Sequence, residues 1–229
     1  MHRMLARPAA HLTSAALRIG GLPQVRLDPP DPATAREFDR FTADNVDRSA
    51  HTTTVRPPGD LAVYLRWLAA HRDVLFHGTK QADLGELHTK RLTSDVTDFG
   101  AQQAVFASDD PIWAMYFALL RRGDTFGSTR NGSLAAVGTE PCRRRYFLSV
   151  NHGHEPALDP GWLYVLPRKG FRSERPWYGV LDTAHWVSEV AVRPMVRMAV
   201  GLEDFPLADA VGRHSRDESL ARTLWNARR

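Results

Sequence analysis

The sequence predicts an α+β fold built largely on antiparallel sheet, and three observations carry that prediction. From Val74 onward the chain breaks into short runs of β-branched and aromatic residues bounded by Gly, Pro and Asn clusters. One strong helical run interrupts them, without the helix after every strand that a doubly wound sheet requires. No period repeats along the chain, which excludes solenoids and propellers. At 229 residues the length fits one large domain with an appendage, on a prior of roughly 150 residues per domain.

Each expected element has a local reason. Residues 1–20 hold Arg3, Arg7 and Arg18 and no acidic residue, like a leader, yet Pro8, His11, Thr13 and Ser14 break the apolar run a cleaved signal needs. Pro29, Pro30 and Pro32 make the next stretch a linker, and a helical pattern with Phe38, Phe41 and Val46 runs from Thr34 to about Ser49. Asp60 caps a second helix carrying Leu61, Tyr64, Leu65 and Leu68. Strands are expected at 74–77, 105–107, 145–150, 163–166, 186–192 and 196–200. Asp110 as N-cap and Pro111 at the first helical position open the strong helix, 112–120. The four glycines of 123–138 read as a mobile surface loop, and 170–179 as a second loop. The polar tail, 209–229, reads as a surface helix. Residues 1–70 thus form a helical extension, 71–208 the main domain and 209–229 the tail.

Composition narrows the function classes. Hydrophobic residues at 43% and charged ones at 24% fit a globular chain and exclude wholesale disorder or a collagen-like repeat. No run approaches the roughly 18 apolar residues of a membrane helix, so no membrane partner is expected. The single cysteine, Cys142, excludes an internal disulfide and a Cys-based zinc cluster, and a cytoplasmic home is expected. The net charge of +4 and pI near 9.6 come almost wholly from arginine, the only lysines being Lys80, Lys90 and Lys169. That bias is discounted as a nucleic-acid signal, although the positive field favours a phosphate-bearing ligand.

Three spots carry candidate chemistry. A strand ending in His77-Gly78-Thr79-Lys80 places an imidazole, then a bare backbone, at a sheet edge. Val105-Phe106-Ala107-Ser108 leads into the capped helix, whose Trp113, Phe117 and Leu120 read as core and whose Tyr116 reads as a functional aromatic. In the last, His185-Trp186-Val187-Ser188-Glu189-Val190-Ala191-Val192, Glu189 is a carboxylate within an apolar strand, costly unless paired or functional.

In this order the three spots resemble the ADP-ribosyltransferase superfamily, in the His-Tyr-Glu branch that includes poly(ADP-ribose) polymerases and diphtheria-toxin-type enzymes. Phe106, Ala107, Ala114 and Tyr116 fall at the polymerase spacings, and Ser188-Glu189-Val190-Ala191-Val192-Arg193-Pro194 follows an Asn-Glu-x-x-Val pattern. His77 to Lys80 with Ala82-Asp83-Leu84 is also similar to the start of rifampin ADP-ribosyltransferases. The resemblance spans residues 74–200. Val105 departs from it by replacing an aromatic, and Val187 by standing where arginine-modifying toxins carry a second glutamate.

The resemblance implies split antiparallel sheets and transfer of ADP-ribose from NAD, with no metal. His77 would hold a ribose hydroxyl, and Gly78, with Thr79, Phe106 and Ala107 beside it, would receive the carboxamide. Tyr116 would stack on the nicotinamide, and Glu189 would accept from the ribose 2′-hydroxyl and stabilise the cation that forms as nicotinamide leaves. Trp177 and Tyr178, flanked by Arg172 and Arg175, would meet the acceptor, a nucleobase, a nucleic acid or a small molecule rather than arginine. An NAD glycohydrolase and a degenerate nucleotide-binding module are the alternatives. His152-Gly153-His154 with Glu155 lacks further ligands at metal spacing, the glycines of 123–138 lack a Gly-Lys-Ser/Thr ending, and no Gly-x-Ser-x-Gly elbow is present.

Overall fold

In the computed structural model, which describes residues 20–48, 52–89, 99–122, 126–138, 143–153 and 157–227, four helices pack with two mostly antiparallel sheets. The leader-like residues 1–19, Cys142, His154 and Glu155 lie outside the described residues. The helices are α1 (Pro32–Asn45), α2 (Leu61–His71), α3 (Pro111–Leu119) and α4 (Leu220–Asn226). Asp31 accepts from the Ala33 and Thr34 amides, and Pro32, expected to lie in the linker, opens α1 because the first helical position needs no N–H. Asp60 and Asp110 cap α2 and α3 as their sequences predict.

The larger sheet has the order β1-β10-β6-β2-β3-β9-β7, formed by Thr53–Thr54, Val196–Val200, Gly161–Pro167, Val74–Thr79, Val105–Ser108, His185–Ser188 and Arg172–Ser173. All its pairings are antiparallel except β1 with β10. The smaller sheet has the order β11-β5-β4-β8, formed by Gly212–Arg213, Arg145–His152, Phe126–Ala136 and Leu181–Asp182.

Helix α3 lies between the sheets. Every residue of it except Phe117 is buried, as an all-round apolar helix requires. On one side it sits on the backbone of the larger sheet: a Cβ on Gly78 would lie 2.0 Å from the Ala114 carbonyl oxygen, and one on Gly161 would lie 1.9 Å from that of Ala118. On the other side Tyr116 and Trp113 bond Thr129 and Asn131 of β4. Asp110, 2% exposed, joins the same elements by accepting from the Ile112 amide and the Ser133 hydroxyl. The main core also takes in Phe38, Tyr64 and Leu68, so the described part of the N-terminal extension shares one core with the sheets. A second cluster, with Leu75, Val105, Ala107 and Tyr164, lies on the opposite face of the larger sheet.

Three expected elements are corrected. The stretch read as a surface loop is β4, an eleven-residue strand paired with β5 from Phe126↔His152 to Leu134↔Arg145. Gly127 falls at a register irregularity between Phe126 and Ser128, and Gly132 pairs regularly with Phe147. Strand β9 ends at Ser188, so Glu189 stands in a bend and not within a strand. Ser188 is responsible: its hydroxyl donates to the Val190 carbonyl and accepts from the Val190 amide, which turns the chain out of the ladder. The tail is two short elements, β11 and α4, with a 3-10 turn at Ala208–Ala210, because Gly212 and Arg213 pair with β5. No helix among the described residues is long and apolar enough to cross a membrane.

Candidate functional site

Strands β2 and β9 both run antiparallel to β3, so their C-terminal ends meet the start of β3 at one end of the sheet. His77 and Gly78 lie at the end of β2, and Glu189 follows Ser188, which opposes Val105. Two strand spacings, roughly 10 Å, separate the backbones of β2 and β9. Phe76↔Ser108 is the one registered pair between β2 and β3 among the described residues, and beyond it a notch opens at this end. The His77 ring spans that notch, its Nδ1 2.7 Å from the Phe106 carbonyl oxygen.

A carbonyl only accepts, so Nδ1 carries the proton and donates. Burial lowers the pKa of His77 below the ordinary histidine value; the Phe106 bond opposes this and the charge of Arg122 adds to it. At neutral pH the ring is therefore uncharged, with the Nε2 lone pair free to accept from a hydroxyl. Thr79 accepts from the Gln81 amide at 3.3 Å. Gly78 has a packing reason of its own, since α3 occupies the space a side chain would need.

Glu189 is exposed, and its carboxylate accepts from Arg172 Nε at 3.3 Å and Nη2 at 3.2 Å. The Arg172 guanidinium also bonds Gln102 and lies 5.0 Å from the centre of the Phe99 ring. With side chains 53% and 70% exposed, the pair is worth about 0–1 kcal/mol, so Arg172 is displaced from Glu189 at little cost.

Two expected site residues are not at the notch surface. Tyr116 is 0% exposed, and its hydroxyl bonds Thr129 Oγ1 at 2.6 Å, with burial pushing its pKa well up. A ring with no free face cannot stack on a ligand, which corrects the role expected for it. Ala107 is also buried, against Leu75 and Val105. The half-buried aromatics are instead Phe99, Phe106, Phe117 and His185, joined by the buried Trp113. The centre of the His185 ring lies 5.3 Å from Phe99, 5.5 Å from Phe106 and 5.5 Å from Trp113, and Trp113 in turn contacts Phe117.

Replacing Tyr116 with Phe is accordingly expected to cost about 1 kcal/mol of stability through the lost buried hydrogen bond, and Tyr116→Ala about 3–5 kcal/mol. Urea unfolding measures both. A Phe variant of unchanged stability contradicts the structural role.

Trp177 and Tyr178 lie on a hairpin leading into β9. Tyr178 (φ 53°) and Gly179 (φ 73°) form a tight turn closed by the Val180 amide on the Trp177 carbonyl. Left-handed backbone is unusual for a bulky aromatic and holds Tyr178 at the tip, 96% exposed. Trp177 is also exposed, at 38%, and donates to Glu174 from its indole at 2.9 Å; Arg175 is exposed. Two adjacent aromatics in such a loop cannot both face a core easily, so at least one is expected to be exposed, and both are. His185, Glu174, Phe99 and Gln102 carry no local sequence signal, because their contacts form across the sheet and hairpin.

A groove of about 500 Å³ between α1 and the Pro57-Pro58 loop, lined by Glu37, Arg40, Asp44 and Arg56 among others, contains none of the expected site residues. Comparison of the chain with family models, with curated proteins and with solved structures returns no match.

Proposed function

We propose that the chain is an NAD-dependent mono-ADP-ribosyltransferase with an ADP-ribosyltransferase-like arrangement of its split sheets. The observation that supports this most is the neutral His77, whose proton is committed to the Phe106 carbonyl and whose Nε2 is therefore left as an acceptor, at the same sheet end as an exposed carboxylate. A ribose diol supplies the hydroxyls such a pair accepts from. His77 holds one hydroxyl, and Glu189 holds the 2′-hydroxyl and stabilises positive charge as nicotinamide departs. The notch between β2 and β3 receives the carboxamide edge of nicotinamide beside Gly78 and Phe106. Phe117 or Phe106 takes over the aromatic contact that the buried Tyr116 cannot make. Tyr178 and Arg175 meet a flat or anionic acceptor, a nucleobase or an aromatic small molecule.

Incubation with NAD labelled in its adenylate half, alone and with cell lysate, tests this reading. Release of nicotinamide is expected in both, with label entering an acceptor fraction from lysate. Release with no labelled acceptor identifies a glycohydrolase, and NAD binding without release a degenerate nucleotide-binding module.

A further inference from the structure

Two unequal restraints act on Glu189. Its carboxylate pairs with Arg172, but that pair is exposed and weak, and both Arg172 bonds fall on Oε1. The place of the carboxylate is therefore set chiefly by its backbone, and the residue before it turns that backbone. Ser188 closes β9 opposite Val105 and is 1% exposed. Its hydroxyl makes two bonds to one residue, donating to the Val190 carbonyl at 2.9 Å and accepting from the Val190 amide at 3.3 Å. A short polar side chain that bonds the main chain two residues on offers the backbone an alternative to the ladder.

The alternative matters because β9 could otherwise continue. In a longer ladder Glu189 would stand opposite Ala104, which is buried, and the β-branched Val190 and Val192 suit a strand. Instead Glu189, Val190 and Ala191 stand exposed, and the chain pairs again only at Val192, whose amide and carbonyl bond Leu87 at 2.9 and 2.8 Å. The result is a three-residue protrusion pinned by Ser188 at one end and by the buried Val192 and Leu87 at the other. Val190 is 65% exposed, so water replaces a lost hydroxyl at its amide and carbonyl. The two Ser188 bonds thus shape the protrusion and add little to stability.

We propose that Ser188 is a positioning residue for Glu189: by bending the chain out of β9 it holds the carboxylate where the ribose of bound NAD meets it. The inference rests on the function proposed above and adds the group that sets the place of Glu189. Ser188 is buried and acts through Glu189, which accepts from the 2′-hydroxyl and opposes the ribose cation as nicotinamide leaves. That stabilisation depends on a fixed distance to the developing charge, and a misplacement of about 1 Å costs on the order of 10²-fold in rate.

The test follows nicotinamide release from NAD by the full chain, together with hydrogen exchange at the Val190 amide. Ser188→Ala is expected to lower kcat about 10–10²-fold with KM for NAD within a few-fold. The Val190 amide should exchange faster while the rest of β9 keeps its protection. Ser188→Thr, which keeps the hydroxyl, should turn over within a few-fold of wild type. Ser188→Cys, close to serine in volume but a poor hydrogen-bonding partner, should show the loss of the Ala variant and serves if that variant fails to fold. In a Glu189→Gln background, Ser188→Ala should lower release no further, because nothing is left to position. Wild-type kcat in the Ala and Cys variants overturns the assignment, as does a rise in KM at unchanged kcat or a loss that repeats in full beside Glu189→Gln. Lost protection along the whole of β9 in both variants shows a purely structural hydroxyl and overturns it as well. All these results leave the proposed function standing, whereas absence of nicotinamide release by the wild type removes that function and this inference together.

Discussion

Glu189→Gln is expected to lower nicotinamide release by about 10²–10³-fold while leaving NAD affinity within a few-fold. Glutamine retains the length and a hydrogen-bonding oxygen but loses the charge that opposes the developing ribose cation, and charge needed only near the transition state appears in kcat rather than in binding. Thermal unfolding should move little, because the Glu189 side chain is 70% exposed and its polar partner is the half-exposed Arg172. Parallel release rates and NAD affinities for wild type and variant, with both folded, contradict the assignment. A large drop in melting temperature shows instead that the carboxylate holds the bend.

Gly78→Ala is the second change of large expected effect, and it acts on the fold. The added methyl would stand 2.0 Å from the Ala114 carbonyl oxygen and 2.4 Å from the Ala118 nitrogen, both backbone atoms of a helix gripped on its other side by Thr129 and Asn131. No side chain can rotate away, so α3 must lift from β2. Overpacking of this kind costs about 3 kcal/mol or more. Urea unfolding should show a lower midpoint together with lost NAD binding, because Phe117 and Trp113 move with the helix. Unchanged stability with lost binding would mean that Gly78 serves the ligand and not the helix.

What the sequence made legible followed from local chemistry. Asp31, Asp60 and Asp110 announced three helices because a cap is a two-to-three-residue signal, and β10 matched its expected bounds because its apolar alternation is regular. Strand β4 was hidden because four glycines and a polar outward face look like a loop until β5 is placed beside them. The end of β9 was hidden because Val190 and Val192 continue the apolar pattern, whereas the Ser188 side chain decides the turn. Helix α3 is buried on nearly every side, so periodicity could not tell that Tyr116 faces β4 while Phe117 stays half-exposed. His77, Gly78 and Glu189 stand out by their order along the chain, and the topology brings them to one end of the sheet. His185 and Glu174 gave no signal, being paired only by the folding of the hairpin.

In the proposed function His77 is a neutral acceptor for a ribose hydroxyl of NAD. The ¹⁵N imidazole spectrum of the folded protein, with His77 assigned by a His77→Gln variant, tests it most directly. At neutral pH His77 is expected to show the Nδ1–H tautomer, and its Nε2 resonance should shift saturably as NAD is added. A protonated His77, an Nε2–H tautomer, or an Nε2 signal that stays fixed while NAD binds would contradict it.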